Sequence, residues 1–197
     1  MSVTVIVYCW SVGRWESDAR GRLMAAAMEL YGERGFEQTT AREVADRAGV
    51  TERTFFRHFT DKREVLFSGS QLLQELIVGA VAEASPEMDP VAVVGVAMES
   101  AKVYFDRDQA RRRNALIISN PSLRERELLK LANLTVAVAQ ALRERNVAHL
   151  PAQLAAEVGV SAFKVGFEVW ITDGCTDDFD VCVRRTLDVL REIVSED

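Results

Sequence analysis

Apolar residues recur along most of this chain every three or four positions with charged residues between them, and no segment alternates at the period of two that a half-buried strand needs. Over 14–34, Leu23, Ala26, Ala27, Leu30 and Tyr31 share one face while Arg20, Arg22, Glu29 and Glu33 fall between them. That spacing predicts a first amphipathic helix. Gly35 is placed to end it in the left-handed conformation, and Phe36 to fold back onto the core. Thr39 and Thr40 then precede a short apolar stretch, and Glu43 stands three residues after Thr40 in capping-box spacing. This predicts a second helix over 41–48. Gly49 interrupts it, and Thr51 opens a third helical stretch through Phe55, His58 and Phe59.

Thr60 and Asp61 are read as the cap of a long helix starting near Asp61, through Val65, Leu66, Leu72, Leu73, Leu76 and Val78 to Glu83. After a break at 85–90, the pattern predicts helices over 90–106, 108–119, 121–145, 151–172 and 177–195. Asn120-Pro121, Leu150-Pro151 and Asp173-Gly174 punctuate them, and His149 is read as a loop residue before Pro151. The expected fold class is therefore all-α. An N-terminal three-helix unit with a helix-turn-helix over 14–67 is followed by a larger helical domain over 68–197, and residues 1–13 are expected to be a disordered extension.

The chain has 197 residues, of which 48% are hydrophobic and 27% charged, with a net charge of -6. Such a balance suits a packed soluble protein and excludes one that coats nucleic acid by neutralising many phosphates. The charge is unevenly spread. Residues 1–67 carry ten basic and ten acidic side chains, so the whole negative excess lies further on. A neutral first unit can approach a polyanion that the acidic remainder repels. Cys9, Cys175 and Cys182 are an odd set without metal-type spacing, which fits free thiols in a reducing cytoplasm and predicts no metal site. The apolar run 3–10 is too short to span a bilayer, so no membrane association is expected. Two distant histidines, with no phosphate loop or metal spacing, leave no catalytic constellation and no cofactor to expect.

The stretch from Thr40 to Lys62 carries the most information. Two short helices meeting steeply need a small residue at the crossing, a glycine in the turn and apolar flanks. Ala45, Gly49 and the set Val44, Ala48, Val50, Phe55 and Phe59 supply them. The sequence ERGFEQTTAREVADRAGVTERTFFRHFTDKREVLF resembles the TetR family of tetracycline-repressor-like regulators over about residues 20 to 67. It follows that family's order of glycine-aromatic turn, Thr-capped helix, Ala-Gly-Val turn, Thr-aromatic recognition helix, His-Phe and Lys-x-x-Leu.

The resemblance implies that 41–48 supports a recognition helix over 51–58, which enters the major groove of double-stranded DNA. It also implies a homodimer on a palindromic operator. Thr40, Arg42 and Lys62 are expected to position the phosphate backbone. Arg53 and Arg57 are the candidates for base edges, because a guanidinium donates two hydrogen bonds to a guanine. Thr51 and Thr54 are assigned to phosphate or a thymine methyl; Phe56 and His58 complete the outward face. Two departures bear on specificity. Arg53 stands where many relatives carry glycine, and Phe56 where many carry tyrosine.

Beyond residue 68 no family pattern is legible. The architecture implies a small-molecule effector, apolar or amphipathic, with Tyr104, Phe105, Ile117, Phe163, Phe167 and Trp170 as candidate lining. Val158, Ala162, Val165 and Val169, with Val183, Leu187, Leu190 and Val194, are candidates for the dimer seam. Arg111 to Arg113 are read as a solvated helix face. The expected function is a cytoplasmic repressor that its effector releases from DNA through movement of the helix near Asp61. The alternatives are control by thiol redox state, a ligand requirement for DNA binding, and a helical interaction protein that binds no DNA.

Overall fold

A computed structural model describes residues 16–195. The reading of 1–13 and of Cys9 lies outside the described residues. Among those described, the chain forms α1 (Glu16–Arg34), α2 (Ala41–Arg47), α3 (Glu52–His58), α4 (Ser70–Glu83), α5 (Pro90–Glu99), a 3-10 turn (Ser100–Tyr104), α6 (Arg107–Ser119), α7 (Pro121–Glu144), α8 (His149–Ile171) and α9 (Phe179–Ser195), with no strand. The fold is all-helical, as the periodicity predicts.

Local chemistry explains the first boundaries. Gly35 and Gly49 follow α1 and α2 at φ 85° and 67°, a region that costs a Cβ-bearing residue and leaves glycine unstrained. At Gly49 the Val50 amide donates back to the Ala45 carbonyl at 3.0 Å and the Gly49 amide to Asp46 at 3.1 Å, the double closure of a Schellman turn. Thr40 caps α2 as expected: its hydroxyl accepts from the Glu43 amide at 3.2 Å, and the Thr40 amide donates to Glu43 Oε2 at 2.8 Å.

Three boundaries differ from the sequence expectation. No helix begins near Asp61; residues 61–69 are bends and turns, and α4 starts at Ser70. Asp61 does act as a local cap, accepting from the Arg63 and Glu64 amides at 2.7 and 3.2 Å. The next turns close over three residues instead of four, the Leu66 amide donating to the Arg63 carbonyl and the Phe67 amide to that of Glu64. Val65, Leu66 and Phe67 are all buried, and three consecutive inward side chains exceed the arc that one face of an α-helix offers. The helix from Pro90 ends at Glu99 and tightens into the 3-10 turn before Asp106. His149 is the first residue of α8 rather than a loop residue. Pro151 then occupies the first turn, where its missing N–H has no partner to lose.

The described residues form two compact units. One comprises the chain to Ser68 together with Arg112–Leu123; the other comprises Gly69–Arg111 and the chain from Arg124. The first core gathers Leu23, Leu30, Tyr31, Val44, Phe55 and Val65 around Ile117 and Leu123. The second packs Ile77 and Val81 of α4 and Val94 and Met98 of α5 with Leu142, Ala156 and Val183. Helix α6 is thus shared, its start counted with the second unit and its end with the first.

Candidate nucleic-acid interface and sensor core

In the first unit α3 buries Phe55 completely, and Phe59 directly after it is also buried. Burying those two rings turns the rest of the helix outward. Arg53 and Arg57 are exposed, and Phe56, two positions round from Thr54, leaves 52% of its surface in solvent while its ring edge meets Phe55 at 5.3 Å. Thr51 and Thr54 are coupled: the Thr51 hydroxyl accepts from the Thr54 amide at 3.2 Å and the two hydroxyls lie 3.0 Å apart. His58 is half-buried, its ring 6.4 Å from that of Phe59.

The basic residues around α3 divide sharply. Arg47 spans from α2 to Glu29 and Glu33 of α1 at 3.2 and 3.1 Å, and Arg34 reaches Glu43 at 3.2 Å. These guanidiniums tie helices together. Arg42 is mostly exposed and only loosely paired with Asp46 at 3.9 Å. Thr40 is exposed at the start of α2, beside it.

Lys62 sits differently from its expected role at phosphate. Its ammonium donates to the carbonyls of Phe36, Glu37 and Thr39 at 2.8, 3.3 and 3.0 Å and lies 4.3 Å from the Phe36 ring centroid. An ammonium has three donors, and three carbonyls take them. Lys62 therefore clamps the loop that leads into α2, while its own carbonyl accepts from the buried Tyr31 hydroxyl at 2.8 Å. Burial, and then the nearby Asp61 charge, raise the Tyr31 pKa, so the phenol stays a donor.

In the second unit the structure assembles four of the six residues proposed as effector lining. The Phe105 ring meets those of Phe163, Phe167 and Trp170 at 6.1, 5.5 and 6.2 Å. A fifth ring, Phe179 at 5.1 Å, completes the cluster and escapes the sequence reading. It stands four residues before Val183, on the stripe that the sequence reading gave to the dimer seam. Tyr104 lies at the margin, its hydroxyl donating to the Gly69 carbonyl at 2.7 Å. Ile117 is not part of this group; it is fully buried in the first unit's core. The spacing of α6 puts it on an apolar face but does not say which core that face joins.

In the run Arg111 to Arg113 only Arg112 is exposed, and the other two are half-buried and engaged. The Arg111 Nε donates to the Ile171 carbonyl at 2.7 Å and Nη2 to that of Thr172 at 3.1 Å, so this side chain caps the C-terminus of α8, where the helix leaves carbonyls unpaired. Arg113 donates to the Leu66 carbonyl at 2.9 Å and covers the Phe67 ring at 4.9 Å. At the start of α6, Arg107 donates to the Cys175 and Asp177 carbonyls, and its guanidinium stands 5.2 Å from the Trp170 ring. Cys175 and Cys182, a pair without metal-type spacing in the sequence, face one another with sulfurs 3.7 Å apart. Burial first, then the adjacent Cys175, push the Cys182 thiol up to about 11. Asp177 pairs with Arg185 at 2.8 Å.

A helix-turn-helix that buries its aromatic pair and presents arginines outward, joined to a helical unit with an aromatic interior, defines a DNA-binding regulator. Residues 23–68 match the family described as bacterial regulatory proteins, tetR family, and residues 88–195 match the MftR C-terminal domain. The chain belongs to the TetR family. It is a TetR-family DNA-binding transcriptional regulator. It is 37% identical over 62 residues to the HTH-type transcriptional regulator TcmR of Streptomyces glaucescens, covering 32% of this chain and 27% of that protein. It is 34% identical over 67 residues to the HTH-type transcriptional activator FasR of Mycolicibacterium smegmatis, covering 34% and 31%. The chain thus spans less than a third of the length of these curated relatives. Among solved structures, the transcriptional regulator FadR of Bacillus subtilis in complex with stearoyl-CoA shares the fold at a TM-score of 0.60 and 18% identity, covering 86% of this chain and 96% of that one. Among the described residues no helix is long and apolar enough to cross a membrane.

Proposed function

We propose that the protein is a homodimeric cytoplasmic repressor that reads a palindromic operator with α3 and releases it when an apolar or amphipathic effector enters the Phe105 cluster. The observation that carries the DNA reading is the outward face of α3, where Arg53 and Arg57 are exposed while Arg34 and Arg47 nearby are spent on carboxylates. Arg53 and Arg57 read base edges; Arg42 and the exposed end of α2 at Thr40 meet phosphate. Phe56 offers an apolar surface suited to a thymine methyl.

Dimerisation rests on α8 and α9. Val165 and Val169 on α8, and Val189 and Ile193 on α9, are exposed, Ile193 to 66%. Ala162, Val183 and Leu187 from the expected seam are instead buried within the protomer's own core. A paired Val169→Glu and Ile193→Glu variant is expected to sediment as a monomer while keeping its helical content.

The effector reading rests on the ring cluster and on α6. The rings fill the space between themselves, so an effector enters by displacing them. Arg107 joins the Trp170 ring to the start of α6, whose end supplies Ile117 to the first core. Ring displacement thereby acts on the DNA-binding unit through one continuous helix, not through a helix at Asp61. Long-chain acyl-CoA is the first probe, given the ligand held by the Bacillus subtilis structure.

The first experiment is selection of bound sequences from a random DNA pool with the purified chain at near-physiological salt. Recovery of an inverted repeat supports a dimeric sequence-specific regulator, and stearoyl-CoA is then expected to weaken that complex where free coenzyme A does not. Enrichment of single half-sites would remove the dimer from the reading. No enrichment by a folded dimer, with and without stearoyl-CoA, would remove the sequence-specific repressor.

A further inference from the structure

We propose that Cys175, Asp177 and Cys182 form a binding site for a thiophilic divalent cation such as Zn2+, with three protein ligands and one position left open. The Cys175 and Cys182 sulfurs and a carboxylate oxygen of Asp177 all lie within 4.8 Å of one another. Metal-to-sulfur bonds of about 2.3 Å in a tetrahedron place two thiolate sulfurs roughly 3.8 Å apart. The observed separation is 3.7 Å. A disulfide, by contrast, requires the same sulfurs to close to about 2.05 Å. The two thiols thus stand in hydrogen-bonding contact at a separation that needs little change to take a shared ion.

The surroundings hold the three groups in place. Arg107 fastens both ends of the 175–177 segment by donating to the Cys175 and Asp177 carbonyls. Arg185 pairs with Asp177 Oδ2 at 2.8 Å and so restrains the carboxylate. Such outer partners set the aim and charge of metal ligands. Cys182 is buried, and Cys175 and Asp177 are half-buried. On binding, each thiol gives up its proton to solvent, and two thiolates and one carboxylate carry three negative charges against two on the cation. The Arg185 guanidinium beside Asp177 offsets the remaining negative charge. The residue types favour sulfur-seeking ions over Mg2+ or Ca2+, which take oxygen sets.

The test is titration of the full-length, fully reduced protein with Cd2+ and with Zn2+ in competition with a chromophoric chelator. The expected result is one ion per chain, with an ultraviolet thiolate-to-Cd2+ charge-transfer band. Cys175→Ser should roughly halve the band at saturating Cd2+, since the Cys182 thiolate remains, and cut affinity by more than the ~10–100-fold typical of losing a partner of a metal ligand. Arg185→Ala should fall within that range, and Cys9→Ser should change neither quantity. Asp177→Asn should weaken binding while preserving the band, and serves as the surface variant if Cys182→Ser does not fold. Absence of the band, loss of the ion with Cys9→Ser, or unchanged affinity in folded Cys175→Ser would overturn the site. So would a wild-type protein that binds no ion yet converts the pair to a disulfide with one equivalent of hydroperoxide, which is reduced as the two thiols are oxidised.

Discussion

In the first unit Phe55 and Phe59 turn inward and leave Arg53, Phe56 and Arg57 on the surface, while in the second Phe105 gathers Phe163, Phe167, Trp170 and Phe179 around itself and leaves aliphatic residues outside. On the proposed reading, the first unit keeps its working chemistry on an outer face, and the second keeps it among rings that are buried or half-buried. A surface that reads DNA must hold its geometry before the ligand arrives, and the capped, glycine-closed turns of α2 and α3 provide that. An interior that admits an effector must instead give way, and rings packed against rings can be exchanged for another apolar body.

The largest effect that bears on this contrast is expected from Phe55→Ala. Emptying a fully buried ring site should cost about 3–5 kcal/mol, read by hydrogen exchange as lost protection in α1 to α3 with α8 still protected. Equal loss in α8 would break the division into two units. Ile117→Ala is next, at about 2–5 kcal/mol, and the same amides in α1 to α3 should lose protection. If amides around Phe105 respond instead, Ile117 belongs with the sensor after all. Arg57→Ala should leave stability unchanged and weaken operator binding by about 1–3 kcal/mol while relaxing the preferred base; uniform weakening on all sequences, with a shallower salt slope, would make it a phosphate contact.

Thr40→Ala is expected to be the smallest, about 1 kcal/mol of stability from the lost cap in a denaturant melt. Its partner Glu43 adds a pH signature. The Thr40 amide and then its hydroxyl hold the Glu43 carboxyl below its ordinary value. The stabilisation is therefore complete above the unfolded-state value and fades as pH falls through the lower folded-state value. Thr40→Ala keeps the amide and loses only the hydroxyl, so it should lessen that acid-side decline in part, whereas Glu43→Gln should remove it; an unaltered profile in Glu43→Gln would place the coupling elsewhere.

The first unit is legible in the sequence because its signals are local. Gly35, Gly49 and the Thr40–Glu43 box each act within a turn or two of chain, and the structure reproduces all three. Residues 61–69 mislead because Val65, Leu66 and Phe67 look like part of a helical stripe, and only the surrounding core shows that all three point inward. Lys62 looks like a free charge for the same reason, since its three carbonyl partners lie 23 to 26 positions away. The second unit is held by contacts of still longer range. Arg107 to Cys175 and Arg111 to Ile171 span 68 and 60 residues. Nothing in spacing could announce them, or bring Phe179 to Phe105. Four of the six proposed lining residues nevertheless meet, because large aromatic side chains tend to be drawn out of water together, here three from α8 and one, Phe105, from the link before α6.

The sharing of α6 between units has a practical consequence for anyone building chimeric regulators. A graft cut at Ser68 would carry α1 to α3 away from Ile117 and Leu123, which complete their core, and from Asn120, whose amide donates to Glu37 at 2.8 Å. A new sensing half joined there would bring its own, mismatched plug for that hole. The workable junctions are three rather than one: after Ser68, at Arg111 to Arg112, and after Leu123. The transplanted reader must therefore be a discontinuous cassette, with the twelve-residue piece from Arg112 to Leu123 travelling alongside it.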